Sequence, residues 1–300
     1  RDVRRYLSEF LNDPYVIDLP RLERLLLVNL IIVPFRAPKS AKLYQEIWTD
    51  KGSPLLVNGI ALKEKIQERL GSEYIVELAM RYQNPSLENG LNNLVKKNVD
   101  RIITLPLYPH YASSTTLSTT KKIDLLVNKK KRFPKVNHIN QFYDHPLFIK
   151  AWAEKITQHN FKSFDHLLIS FHGLPERQVV KEHRSGNCEQ NKCISEINNE
   201  NRRCYKATCY ATARLITSAL NLKENEYTVG FQSRLGKDPW IEPFSDDLVI
   251  EQAKKGNKRL LVASPAFVAD CLETTHEIGI EYKQLFINHG GEELRLTESL

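Results

Sequence analysis

Short apolar runs alternate with longer amphipathic stretches along the whole chain. The runs cover residues 74–81, 101–108, 166–171, 227–234 and 259–267, and turn or polar residues close each one. Between them, apolar positions recur at helical spacing, so the pattern predicts strands alternating with helices, that is, βαβ units around parallel sheets. The pattern also repeats. In the first half residues 74–81 end in Arg81 and 101–108 are interrupted by Pro106; in the second half 227–234 end in Arg234 and 259–267 are interrupted by Pro265. Two similar α/β lobes, residues 1–145 and 146–300, facing one another across a cleft, are the expected architecture. The second half has an extra leading strand at 166–171. Its counterpart in the first half is expected to lie before Arg1, because the chain opens on a helix-like segment at residues 3–10, and further residues are expected after Leu300.

Ligands of open α/β sheets bind beyond the carboxyl ends of the strands. Arg81, residues 108–116, His172, Arg234 and Glu273 fall at or just past such ends. After the run 259–267 a helix is predicted on which Glu273, Glu277 and Glu281 are each four residues apart and share a face. Carboxylates at that spacing repel, so the ladder is either a solvated helix face or one side of a site for a cation or a proton relay.

Composition narrows the choice of function. Three hundred residues, 41% of them hydrophobic, suffice for two cores of ordinary domain size. The net charge of +7 and pI near 9.0 would admit nucleic acid, but the basic residues are dispersed apart from Lys129, Lys130, Lys131 and Arg132, which read as a solvated loop. No nucleic-acid partner is expected. The longest apolar run, residues 25–35, is far short of the roughly 20 residues that span a bilayer, and the opening residues show no signal-peptide pattern. A cytoplasmic protein is expected. The run itself reads either as a core helix or as a hydrophobic lip against a membrane surface or an apolar ligand. Nothing in the sequence sets the oligomeric state.

Four of the five cysteines, Cys188, Cys193, Cys204 and Cys209, are separated by four, ten and four residues. In a cytosolic chain such a group points to metal rather than disulfides, and tetrathiolate ligation suits Zn²⁺ and an iron–sulfur cluster alike.

Several motifs in a fixed order resemble the ferrochelatases, which insert ferrous iron into a porphyrin. They are Ala41-Lys-Leu-Tyr with Gly52-Ser-Pro, Leu105-Pro-Leu-Tyr-Pro with Ser113-Ser-Thr-Thr, Ser170-Phe-His-Gly-Leu-Pro, Phe231-Gln-Ser-Arg-Leu-Gly, Pro239-Trp240 and Asp270-Cys-Leu-Glu. The family's opening Asn-Leu-Gly-Thr-Pro turn is absent. The resemblance implies the type-II chelatase fold, two Rossmann-like lobes, and iron insertion into protoporphyrin IX at the end of heme synthesis; the segment 231–240 is more similar to the protoporphyrin-using than to the coproporphyrin-using type.

It further implies His172 and Glu273 as the catalytic pair at the metal and proton centre, contacting Fe²⁺ as substrate, with Glu277 and Glu281 as proton relay. Imidazole accepts protons near neutral pH, and carboxylates suit both hard cations and proton transfer. Arg81 is expected to meet a porphyrin carboxylate or to form a structural ion pair, and Tyr111, Trp240 and Phe231 to wall the flat ring. Some members carry a [2Fe-2S] cluster on an internal cysteine segment, with Zn²⁺ or free thiols as the alternatives here. Cys271 stands where some relatives have histidine.

Overall fold

In a computed structural model the described residues are 2–130, 132–234, 236 and 238–300, so Lys131, within the basic run, lies outside them. The chain divides into two compact units, residues 1–106 with 113–140 and residues 107–112 with 141–300. Both are mixed α/β with parallel sheets.

The first unit holds β1 (Arg101–Thr104) and β2 (Lys135–His138), paired in parallel and packed through Ile102 against Leu91, Ile123 and Leu126 of the helices Leu87–Lys96 and Ser118–Asn128. The expected strand at 74–81 forms no ladder among the described residues. Its backbone is satisfied otherwise: Val76 N donates to Gln67 Oε1 at 2.9 Å and Met80 N to Pro85 O at 2.6 Å. Helices still pack on it closely. A Cβ at Gly59 or Gly90 would lie 3.2 Å from Leu78 or Ala79, so the two glycines of Pro54–Leu70 and Leu87–Lys96 seat those helices on the segment.

Residues 25–35 lie in a continuous helical run, Arg21–Leu26, a π-helical stretch Leu27–Ile32, and Val33–Ile47. Val28, Val33 and Ala37 are buried with Leu7 and Leu11 of the helix Asp2–Leu11. Leu22, Leu30 and Phe35, at 70%, 66% and 73%, are exposed. The run therefore has one core face and one unpartnered apolar face.

The second unit is built on a four-stranded parallel sheet: β3 (His166–His172), β4 (Tyr227–Gln232), β5 (Arg259–Ala263) and β6 (Glu293–Leu296), in the spatial order β4-β3-β5-β6. β3 is buried on both faces. Alternation sends Leu167, Ile169 and Phe171 into a cluster with Trp152, Ile156 and Ile216 of the helices Pro146–Gln158 and Tyr205–Ala219. Leu168 packs into the opposite cluster with Val249, Ile278 and Phe286. The run 259–267 stops as a strand at Ala263 and 101–108 at Thr104, in each case two residues before a proline that cannot donate to a ladder.

From β3 the chain passes to one side for β4 and to the other for β5 and β6. The order reverses between β3 and β5, the switch point at which open α/β sheets leave a crevice beyond their carboxyl ends.

Candidate active site and a cysteine–histidine group

His172 is the last residue of β3, at that switch point, in register with Gln232 of β4. Its Nδ1 lies 2.6 Å from Gly173 O. A carbonyl only accepts, so Nδ1 carries the proton and the Nε2 lone pair is left for a proton or a metal. The next residue has to be glycine. A Cβ on Gly173 would sit 2.7 Å from Gln232 O, to which Gly173 N donates at the same distance, and 3.2 Å from the indole of Trp240. Trp240 is thereby held against the strand end, with Ile241 N donating to Leu174 O at 3.0 Å.

Across this strand end runs a buried polar chain, of which the motifs contain Ser170 and Gln232 without singling them out. Ser170 Oγ donates to Gln232 Oε1 at 2.9 Å and lies 2.8 Å from Ser245 Oγ; Ser264 Oγ donates to Ser170 O at 2.9 Å. With Oε1 committed as acceptor, the Gln232 amide points its two N–H groups outward, to Glu273 O at 2.9 Å and Glu277 Oε2 at 3.2 Å. Ser170, Gln232, Ser245 and Ser264 are all fully buried, so this chain is rigid by necessity. The available signal was parity: Ser170 and His172 are two apart on one strand face, and Gln232 follows the core residue Phe231.

The three carboxylates sit on a π-helix, Glu273–Tyr282, rather than on the α-helix their spacing predicts. Its hydrogen bonds span five residues, and side chains pair accordingly: His276 Nδ1 lies 3.5 Å from Glu281 Oε1. Glu277 accepts from Gln232, from Ser233 Oγ and from Tyr282 OH at 3.2 Å, which fixes its carboxylate. Burial, reinforced by Glu277, pushes the Tyr282 phenol far up and keeps it a donor. Glu281 is largely exposed. Burial also drives the Cys271 thiol well above its usual range, and the neighbouring Glu273 adds to it.

Other expected site residues are placed differently. Arg81, in the first unit, gives its guanidinium to the buried Asp13 and donates through Nε to Ser118 Oγ at 2.7 Å; Asp13 also accepts from Tyr82 OH and from Ser118. This is the structural ion pair. Tyr111, in the second unit, is buried with the Arg203 guanidinium 5.5 Å from its ring centre. Phe231 is a core residue, because strand alternation that turns Gln232 to the site turns its neighbour into the cluster with Phe171.

The cysteine segment assembles a different ligand set from the four thiols. His183, Cys188, Cys193 and Cys204 bring one ligand atom each to within 4.8 Å of one another. Cys209 stands apart. Cys204 caps the helix Tyr205–Ala219, and a residue five further on is rotated by roughly 140° about an α-helix, so Cys209 turns inward to Tyr205 in the core. Hydrogen bonds from Cys193 and then Cys204 hold the Cys188 thiol down at about 3, making it the member that ionises first.

A parallel sheet with donors at its switch point, and a chain of oriented carboxylates beside them, defines a chelatase-type α/β protein. The solved structure of SirB from Bacillus subtilis with Fe³⁺ shares the fold, with a TM-score of 0.53 at 13% identity over 81% of each chain. The family model described as Ferrochelatase matches residues 1–300. Ferrochelatases of Coxiella burnetii and Legionella pneumophila are 45% and 44% identical over 99% of this chain, and cover 84% and 88% of their own lengths. The chain belongs to the ferrochelatase family.

Proposed function

We propose that the chain inserts ferrous iron into protoporphyrin IX to give protoheme, the last step of heme synthesis. The observation that carries this is the juxtaposition in register of His172, whose Nε2 lone pair is set by the Nδ1 bond to Gly173 O, and Gln232, whose amide orients the Glu273–Glu277 helix.

Metallation exchanges two pyrrole N–H protons for one divalent cation, so the site must accept protons and present hard donors to a partly dehydrated ion. His172 and Glu273 form that centre. Glu277, fixed by three donors, passes protons on, and the exposed Glu281 delivers them to water. Trp240 forms one wall for the macrocycle. Tyr111, buried beside Arg203 in the same unit, supports that wall, and Arg81 serves the first unit through its ion pair with Asp13. None of these steps transfers an electron, so a [2Fe-2S] cluster or Zn²⁺ at the cysteine segment would serve structure rather than chemistry.

The apolar face of residues 21–35 is the surface for peripheral contact with a membrane. Among the described residues no helix is long and apolar enough to cross one. Sedimentation with anionic vesicles, lost on changing Leu30 and Phe35 to serine, tests that contact. For the activity, His172→Ala should lower iron insertion, followed by porphyrin absorbance, by about 10²–10⁴ while porphyrin still binds; insertion at the parent rate would refute the assignment.

A further inference from the structure

We propose that His183, Cys188, Cys193 and Cys204 form a closed tetrahedral Zn²⁺ site, in which histidine replaces Cys209 as the fourth ligand. A single zinc at about 2.3 Å from sulfur and 2.0–2.1 Å from nitrogen sets ligand–ligand separations of roughly 3.5–3.8 Å. Cys188 Sγ lies 3.8 Å from Cys204 Sγ and 3.9 Å from His183 Nε2, and Cys193 Sγ 3.3 Å from His183 Nε2. A binuclear cluster spreads its ligands over two irons and needs a wider opening than a group in which every pair is within 4.8 Å. The [2Fe-2S] arrangement on four thiols therefore does not fit these residues.

The surroundings of His183 point the same way. Its Nδ1 donates to Gly186 O at 3.3 Å, leaving the Nε2 lone pair facing two sulfurs, as in zinc sites where the second ring nitrogen is tied to a carbonyl. The segment from 181 to 204 has no helix or strand. Its few buried residues are Asn191, Cys193, Asn201 and Cys204, and asparagines bridge its turns: Asn201 Nδ2 donates to Asn191 O at 2.8 Å and to Glu196 O at 2.9 Å, and Asn191 Nδ2 to Ser185 O at 2.6 Å. So little apolar area cannot order such a loop alone, and a bound metal supplies the missing folding free energy. The site in turn anchors the segment 107–112: Arg203 lies over Tyr111, and the helix that Cys204 caps holds His110 Nε2 through Thr212 Oγ1 at 2.9 Å.

Elemental analysis of the full chain, purified anaerobically, should find about one zinc and no sulfide. His183→Ala and Cys204→Ser should lose it, while Cys209→Ser and His183→Cys keep it. Cobalt substitution should give the intense visible bands of tetrahedral thiolate coordination in the parent and in Cys209→Ser. Two irons with two sulfides, metal retained by His183→Ala but lost from Cys209→Ser, or no metal at all after expression with zinc would each overturn the assignment. Because the readout is metal content, failure here is distinct from failure of iron insertion.

Discussion

The second unit gathers metal-ligating side chains in two places built on opposite principles. At the end of β3 the donors are nitrogen and oxygen, set on a strand and a π-helix: the His172 ring is oriented by the Gly173 carbonyl, and the Glu273 backbone is tied to Gln232. At residues 183–204 the donors are three sulfurs and one nitrogen, converging from turns into a group with no open position. Hard donors at an open site suit an ion that must leave; soft donors in a closed set suit one that must stay. Rigidity follows the same division, because the sheet holds the open site in shape without metal while the loop depends on its metal.

The largest expected effects come from exchanging the two histidines' fates. His172→Ala should lower the insertion rate by about 10²–10⁴, the size of a lost general base, with zinc content unchanged. His183→Ala should do the reverse, releasing zinc and lowering the unfolding temperature while His172 and Gln232 keep their register. Parallel measurements of insertion rate and metal content would break the comparison if either variant lost both properties equally.

The difference between the regions also governs what the sequence disclosed. Apolar runs marked β3, β4 and β5 because both faces of those strands are buried, and Pro106 and Pro265 marked where ladders stop. The run 74–81 carries the same pattern without a ladder, since alternation reports which faces are covered and not whether a neighbouring strand exists. His172 and Glu273 stood out through their motifs. Gln232 did not, because its part depends on register with His172, a long-range property. The π-helix was hidden because Glu273, Glu277 and Glu281 satisfy a four-residue period over so short a stretch. His183 precedes Cys188 by the same four-residue gap that separates Cys188 from Cys193, a signal lost by counting cysteines alone.

Acid sharpens the comparison by loading the scaffold that both regions share. Burial lowers His110 to about 3 and His166 to about 4, so both are neutral in the folded state. Below the unfolded value near 6.5 the unfolded chain binds more protons, so stability is present above that pH and falls as the pH drops toward the folded values. Each histidine should remove about 1.4 kcal/mol per pH unit in that window. Denaturant melts between pH 7 and 5 should show the decline, and His110→Gln should flatten it; an unchanged slope in that variant would contradict the assignment.

A smaller effect is expected from Gln232→Leu, which keeps the volume and removes the amide. Losing a hydrogen bond to a carboxylate costs about 1.5 kcal/mol, or roughly a tenfold loss in kcat. Gln232 is a positioning residue, so KM for porphyrin should hold while the pH profile of kcat moves as Glu277 loses a donor. A rise in KM alone would place its role in binding instead.

The smallest effect belongs to the outermost carboxylate. Glu281 is more than half exposed and lies 3.5 Å from His276 Nδ1, so water can replace it as the final proton acceptor. Glu281→Gln should change stability by less than about 0.5 kcal/mol and kcat by less than about twofold in well-buffered solution. A deficit that appears only at low buffer concentration and is rescued by added buffer would place Glu281 at the exit of the relay. A tenfold loss that buffer does not rescue would move the active boundary outward from Glu277, and the open site would then extend along the whole π-helix.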